Sequence, residues 1–260
     1  MTDLLTIEND PKTKKGSKKK YLTAVQYLAP ATLASDALGR PINMCAYASN
    51  GCIESCLNKA GRGGIGDPET NTVQIARIKR TILFMDNRSE YWYKLIRELK
   101  ALVRKAAKRK MKPACRPNGT SDVLWERTPV VIDGVKLANN IMELFPNIRW
   151  YDYTKYPYHK RPTESLPSNY DLTFSRSESN EMEVWINLAY GRRVAVVFSS
   201  KKDDPIPETH LVVGGSHFVP IPVVNGDESD LRFLDPTGVI VHLYAKGKAR
   251  KDTSGFVVRV

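Results

Sequence analysis

Nothing in this sequence is built to cross a bilayer: no apolar run approaches the roughly 20 residues that a spanning helix needs. A secretory leader is equally missing. The start, Met1-Thr-Asp-Leu-Leu-Thr-Ile7, is short and acidic and gives way to lysines, so a soluble protein of a reducing cytoplasm is expected. No internal repeat of fixed period appears, which removes solenoids and propellers from consideration. Histidine and cysteine are scarce, with four of each in 260 residues. Acidic residues are outnumbered, 28 against 40 Lys and Arg, leaving a formal charge of +12.

The few cysteines are not scattered. Three of the four fall within Cys45-Ala-Tyr-Ala-Ser-Asn-Gly-Cys52-Ile-Glu-Ser-Cys56, and Gly61-Arg-Gly-Gly-Ile-Gly66 follows. An odd number of thiols in a reducing compartment is poor material for disulfides and good material for a metal or an iron–sulfur cluster. Three thiolates leave one coordination corner open, whereas a structural zinc site closes with four ligands. Zinc remains an alternative if His210, His217 or Cys115 supplies the fourth. Three cysteines that are merely near one another, packed as small apolar side chains, are the plainer reading.

The positive charge is concentrated in Lys12–Lys20, in Arg104–Lys112 and in Lys246–Lys251. Such blocks favour a polyanionic partner through counterion release, so nucleic acid or a nucleotide-bearing substrate is expected. Residues 1–20 read as a disordered basic tail and residues 21–260 as one α/β domain.

Within that domain, Tyr21–Pro30 reads as a strand and turn, and the cysteine segment as a loop. Ile75, Ile78, Ile82 and Met85 recur at helical spacing, as do Trp92, Leu95, Leu99, Leu102 and Ala106. Further strands are expected at 114–117, 148–153, 172–175, 194–198, 211–213, 231–234 and 239–243, with helices at 134–144 and 181–190. This alternation predicts an α/β fold with a mostly parallel sheet, barrel-like or a partial (β/α) barrel.

What ends each strand carries the functional expectation. Apolar runs stop at Asn118-Gly-Thr-Ser-Asp122, at Asp152-Tyr-Thr-Lys155 and at Ser175-Arg-Ser-Glu178. In parallel α/β folds the carboxyl ends of the strands form the ligand-binding edge. Turn and cap preferences explain Gly119 and the serines, but not Lys155, Arg176 or Glu178. Asp152 and Lys155 are the expected catalytic pair, with Asn118, Ser121, Asp122, Ser175, Arg176 and Glu178 binding cofactor or substrate.

Taken in order, Cys-x6-Cys-x3-Cys-Leu, Arg116-x-Asn118-Gly-x-Ser-Asp122, Phe145-Pro-x4-Tyr-Asp-Tyr-Thr-Lys155 and Phe174-Ser-x-Ser-Glu178 resemble the phage gene product 88-like family over most of residues 41–250. The family has no defined function. A cysteine cluster on a barrel-like body is in turn similar to radical S-adenosylmethionine enzymes, although the cysteine spacing differs from theirs. That likeness implies a 4Fe–4S cluster on Cys45, Cys52 and Cys56, S-adenosylmethionine as cofactor, and an enzyme of the host-cell cytoplasm acting on nucleic acid or a nucleotide. The competing expectation is a non-catalytic, zinc-stapled nucleic-acid-binding protein.

Overall fold

The apolar runs beyond Tyr21 become strands of a mixed α/β fold, described for residues 3–8, 16–67 and 69–260 in a computed structural model. The strands, in chain order, are β1 (Leu5–Ile7), β2 (Tyr21–Gln26), β3 (Lys112–Arg116), β4 (Val130–Ile132), β5 (Val135–Ala138), β6 (Arg149–Thr154), β7 (Tyr170–Ser175), β8 (Val194–Phe198), β9 (Thr209–Gly214), β10 (His217–Asn225), β11 (Ile240–Tyr244) and β12 (Val257–Val258). The α-helices among the described residues are α1 (Ser35–Leu38), α2 (Asn50–Glu54), α3 (Thr72–Asp86), α4 (Arg88–Lys108), α5 (Ile141–Leu144) and α6 (Glu181–Ala189).

Ten strands form one sheet in the order β1-β2-β3-β6-β7-β8-β11-β10-β9, with β12 also pairing β8; β4 and β5 form a separate hairpin. The pairs β2–β3, β3–β6, β7–β8, β8–β11 and β10–β11 are parallel. The expected barrel does not form. Closure needs the first and last strands to pair, but β1 and β9 each join the sheet antiparallel and by one side only. No helix among the described residues is long and apolar enough to cross a membrane.

The chain divides into two compact units where the sequence suggests a single domain over 21–260. One is Met1–Ala46 with Gly66–Asp152 and Leu166–Asp171; the other is Tyr47–Ile65 with Tyr153–Ser165 and Leu172–Val260.

In the first unit, α3 and α4 follow the apolar spacing that predicts them. Asn71 caps α3 by accepting from the Val73 and Gln74 amides, and Asn87 ends it and caps α4 through the Glu90 amide. The stripe Tyr91, Leu95, Leu99, Leu102 and Ala106 is buried, at steps of three or four residues that keep one face inward. Phe84, Tyr91, Trp92 and Trp125 pack as an aromatic cluster, with Tyr91 and Trp125 rings 6.2 Å apart. All four are core residues.

Several expectations fail for identifiable reasons. The disordered tail is not confirmed: Leu4 and Leu5 are buried, β1 pairs β2, and Glu8 bridges Lys105 and Arg109 on α4. Residues 1, 2 and 9–15, including Lys12, Lys14 and Lys15, lie outside the described residues. Residues 134–144 are not one helix. Asp133 and Gly134 both take positive φ, 49° and 81°, a tight turn that reverses the chain into the β4–β5 hairpin and leaves only α5 helical. Residues 231–234 end in a 3-10 turn, Arg232–Leu234, rather than a strand. The cysteine segment is not a bare loop, because Ser49 caps α2 within it.

In the second unit, α6 buries Val184 and Leu188 against Phe174, Val194, Val196, Phe198, Val212 and Ile240. Strand β8 serves three partners. β11 runs along its whole length from Val194 to Phe198, β7 pairs Val194 and Ala195, and β12 pairs Val197 and Phe198. Since a strand has two edges, β12 takes over the edge that β7 leaves at Ser175.

Candidate functional site

In the first unit the carboxyl ends of β2 and β3 carry a closed polar knot. Beyond β3 the chain turns back so tightly that the Gly119 amide donates to the Gln26 carbonyl at 2.8 Å. Asn118 organises the turn. Its Oδ1 accepts from Ser121 Oγ, the Val123 amide and Trp125 Nε1, each at 2.9 Å. Its own amide and Nδ2 donate to Asp152 on β6, at 2.8 Å to Oδ1 and 3.1 Å to Oδ2. Asp152 is 0% exposed and also accepts from Tyr170 Oη at 2.8 Å, with Arg116 Nε 3.9 Å from Oδ1.

A carboxylate so enclosed orients its neighbours. Buried charge is tolerated because it is multiply hydrogen-bonded and near a cation. The geometry gives Asp152 the partners of a positioning residue, held between Asn118, Tyr170 and Arg116. Ser121 and Asp122 are also buried, and the Asp122 amide donates to the Met44 carbonyl at 2.8 Å. Cys45 hangs from the same loop: its Sγ accepts from the Ala31 amide at 3.4 Å and donates to the Thr120 carbonyl at 3.8 Å. Cys115 is buried, and burial, with the Asp152 charge adding to it, pushes its thiol well above the usual value.

The second unit has its own strand-end cluster, at the end of β7. Lys155 Nζ donates to Ser175 Oγ at 2.6 Å and to the Ser175 and Arg176 carbonyls, both at 3.3 Å. Arg176 pairs with Glu181 and donates to the Gly255 carbonyl at 2.5 Å and the Phe256 carbonyl at 3.1 Å, fastening β7 to the start of β12. Glu178 reaches the cysteine helix. It accepts from Ser49 Oγ at 2.7 Å and from the Gly51 amide at 2.8 Å, at the first turn of α2. A Cβ at position 51 would sit 2.2 Å from Ser254 Oγ and 2.8 Å from Glu178 Oε2, so a larger residue there displaces one or both side chains. Cys52 packs on Phe256 and its apolar neighbours, and Lys155 lies 5.3 Å from the same Phe256 ring.

Burial alone would raise the Glu178 carboxyl. The hydrogen bonds from Ser49 and from backbone amides, with the Lys155 charge, outweigh it and hold the group below its usual value. Asp252 behaves alike: burial opposes ionisation, but bonds from Ser254 and the Val257 amide prevail. Lowered folded-state values mean that the unfolded chain binds more protons in acid. The contribution is complete above about pH 4.5, the ordinary glutamate value, and disappears as pH falls through the folded values. Thermal melts are therefore expected to drop below pH 4.5, and less steeply in Glu178→Gln; parallel curves for the two proteins would exclude Glu178 as a contributor.

With these geometries in hand, comparison with known families is decisive on one point. A family model described as Gene product 88 matches residues 3–260. The chain belongs to the Gene product 88 family. No curated protein and no solved structure matches it.

In this Gene product 88 chain the three clustered cysteines are thiols outside any disulfide among the described residues, half-buried, and each has a local contact. Cys56 Sγ accepts from the Asn58 amide at 3.5 Å and Cys52 lies on the apolar patch already described. Among the described residues no three His, Cys, Asp or Glu side chains are grouped so as to hold a metal ion. The donor set suits a soft metal in kind, but the arrangement does not present a formed site. Of the histidines, His242 lies flat on Phe198 with ring centroids 4.5 Å apart, its Nε2 2.9 Å from Ser200 Oγ. Burial lowers the pKa of His242 and of His210, so both are neutral near pH 7.

Sequence reasoning passes over Arg116, Tyr170, Ser49, Gly51 and Phe256. Arg116 and Tyr170 act through Asp152, and no spacing along the chain announces that. Ser49 and Gly51 did carry a signal. Ser49 stands where an N-cap belongs, three residues before Cys52.

Proposed function

We propose that this Gene product 88 protein is a phage enzyme whose working edge is the carboxyl end of its parallel strands. In this reading Cys45, Cys52 and Cys56 bind one iron–sulfur centre. The observation that carries it is the Glu178 tether, which holds the Cys52 helix at the end of β7 beside Lys155 within one unit. Cys52 lies on α2, and Cys56 follows just beyond the C-cap Ser55, in the same unit.

In this reading Lys155 and Ser175 would offer a cation and a hydroxyl to an anionic group, and the bonds from Arg176 to the Gly255 and Phe256 carbonyls hold β7 to the start of β12. The narrower form of the proposal adds S-adenosylmethionine as cofactor and nucleic acid or a nucleotide as substrate. It rests on the motif order and on the +12 charge.

Anaerobic purification with iron, sulfide and zinc assay tests the centre. Brown protein containing iron and sulfide, lost in Cys45→Ala/Cys52→Ala/Cys56→Ala, is expected. Colourless protein containing zinc would favour the zinc-stapled nucleic-acid-binding alternative, and metal-free protein would end both. A single-stranded DNA titration on the same sample reads the partner: affinity should fall steeply with salt if phosphate contacts dominate.

A further inference from the structure

The β9–β10 hairpin of the second unit has two unlike faces. Val212 is buried in the core, with Ile221 packed against it. Thr209, Leu211, Val213, Phe218, Pro220 and Pro222 share the opposite face, because cross-strand partners such as Val213 and Phe218, or Leu211 and Pro220, project together. That face is open to solvent: Leu211 is 59%, Val213 46% and Phe218 71% exposed. β9 is also the last strand of the sheet, paired on one side only among the described residues.

One hydrogen bond fixes where the outer backbone groups of β9 point. The Val223 amide donates to the Glu208 carbonyl at 2.9 Å, so in this register Val212 and His210 are the residues of β9 that bond to β10. Thr209, Leu211 and Val213 consequently aim N–H and C=O at the free edge. Pro220 and Pro222 occupy the positions of β10 that owe β9 no amide, so they leave the hairpin intact.

Charge selects the occupant. Residues 209–226 contain no Asp, Glu, Lys or Arg, in a chain that is 26% charged with a net charge of +12. A chain this basic repels its own copy through its charged surface, and this ribbon is a place where no charge opposes approach. It also offers no cation to a phosphate and no anion to a basic partner. Exposed edge strands ordinarily carry a lysine, a proline or a bulge that prevents pairing, and β9 carries none. A strand of this kind is complementary to itself when run antiparallel.

We propose that β9 pairs antiparallel with β9 of a second copy about a two-fold axis at Leu211, forming a symmetric dimer with a continuous sheet. Leu211 meets its symmetry mate and Thr209 meets Val213, giving about six new backbone hydrogen bonds. Leu211, Val213 and Phe218 cover one another on the exposed face. The contact is at the small end of specific interfaces, so the dimer exchanges with monomer.

Sedimentation of the full chain over a hundredfold range of concentration tests this. The expected result is a monomer–dimer equilibrium that tightens as salt rises, because salt screens the repulsion between two basic copies. Val213→Lys places like charges across the axis, and Leu211→Pro removes an outward N–H that β10 does not use. Each should shift the dimer at least tenfold toward monomer while circular dichroism and melting remain those of the parent. If Leu211→Pro unfolds the hairpin, Val213→Lys alone still decides. Parent protein that stays monomeric throughout, or a dimer indifferent to Val213→Lys, overturns the proposal.

Discussion

Asp152→Ala is expected to lower the unfolding free energy by about 3–5 kcal/mol, the range for removing one partner from a buried ionic network. The carboxylate has no exposed surface and accepts from the Asn118 amide, Asn118 Nδ2 and Tyr170 Oη, with Arg116 close by. Alanine would leave these donors and a buried guanidinium without their shared acceptor. Asp152→Asn keeps the shape but loses the charge and exchanges one acceptor for a donor, so an intermediate loss is expected. Chemical denaturation of the two variants and the parent measures this. A loss below about 1 kcal/mol for Asp152→Ala, the size of one ordinary hydrogen bond, would show that the knot does not hold the strand ends. Because Asn118 and Asp152 share bonds, the Asn118→Ala/Asp152→Ala double variant should cost much less than the sum of the two single variants.

Gly119→Ala is expected to be nearly as damaging, about 2–4 kcal/mol, in the manner of overpacking against atoms that cannot move away. A Cβ there would stand 2.5 Å from the Gln26 carbonyl oxygen and 2.6 Å from the Tyr27 ring. The oxygen belongs to β2 and is the acceptor for the Gly119 amide itself, so relief requires the turn to leave the sheet. Cys45 bonds to the Thr120 carbonyl, one residue on, and should be released with it. Faster alkylation of Cys45 by a thiol reagent, alongside a lower denaturation midpoint, is the paired readout. An unchanged midpoint would mean that the turn shifts without cost.

Most of what lies along β2, β3, β6, β7, β8 and β11 was legible because parallel strands are continuous apolar runs, and the polar residues that stop them mark their carboxyl ends. Helices α3, α4 and α6 were legible because their burial repeats at three and four residues. What escaped depended on pairing at a distance. β10 carries Pro220 and Pro222, which read as breakers until the partner strand shows that neither amide was needed. The β4–β5 hairpin hid behind apolar spacing that also fits a helix, and only the Asp133-Gly134 turn tells them apart. At the strand ends, Lys155, Arg176 and Glu178 stood apart from ordinary turn residues, and each makes long-range bonds within its unit. The inward engagement of Asp152 and Asn118 was not visible, since a buried acceptor and an exposed acid are written with the same letter.

The junction at Glu178 also bears on the order in which the molecule comes together. Its bonds to Ser49 and Gly51 span 129 and 127 residues of chain, and Arg176 reaches Gly255 across 79. Contacts between such remote segments carry the largest loop-closure cost and form only once the intervening elements have collapsed. The five-residue helix bearing Cys52 is too short to persist alone. It is thus a late arrival in folding and an early departure in partial opening, and the amides of Gly51 and Cys52 should exchange hydrogen well before those of β8, whatever the global stability.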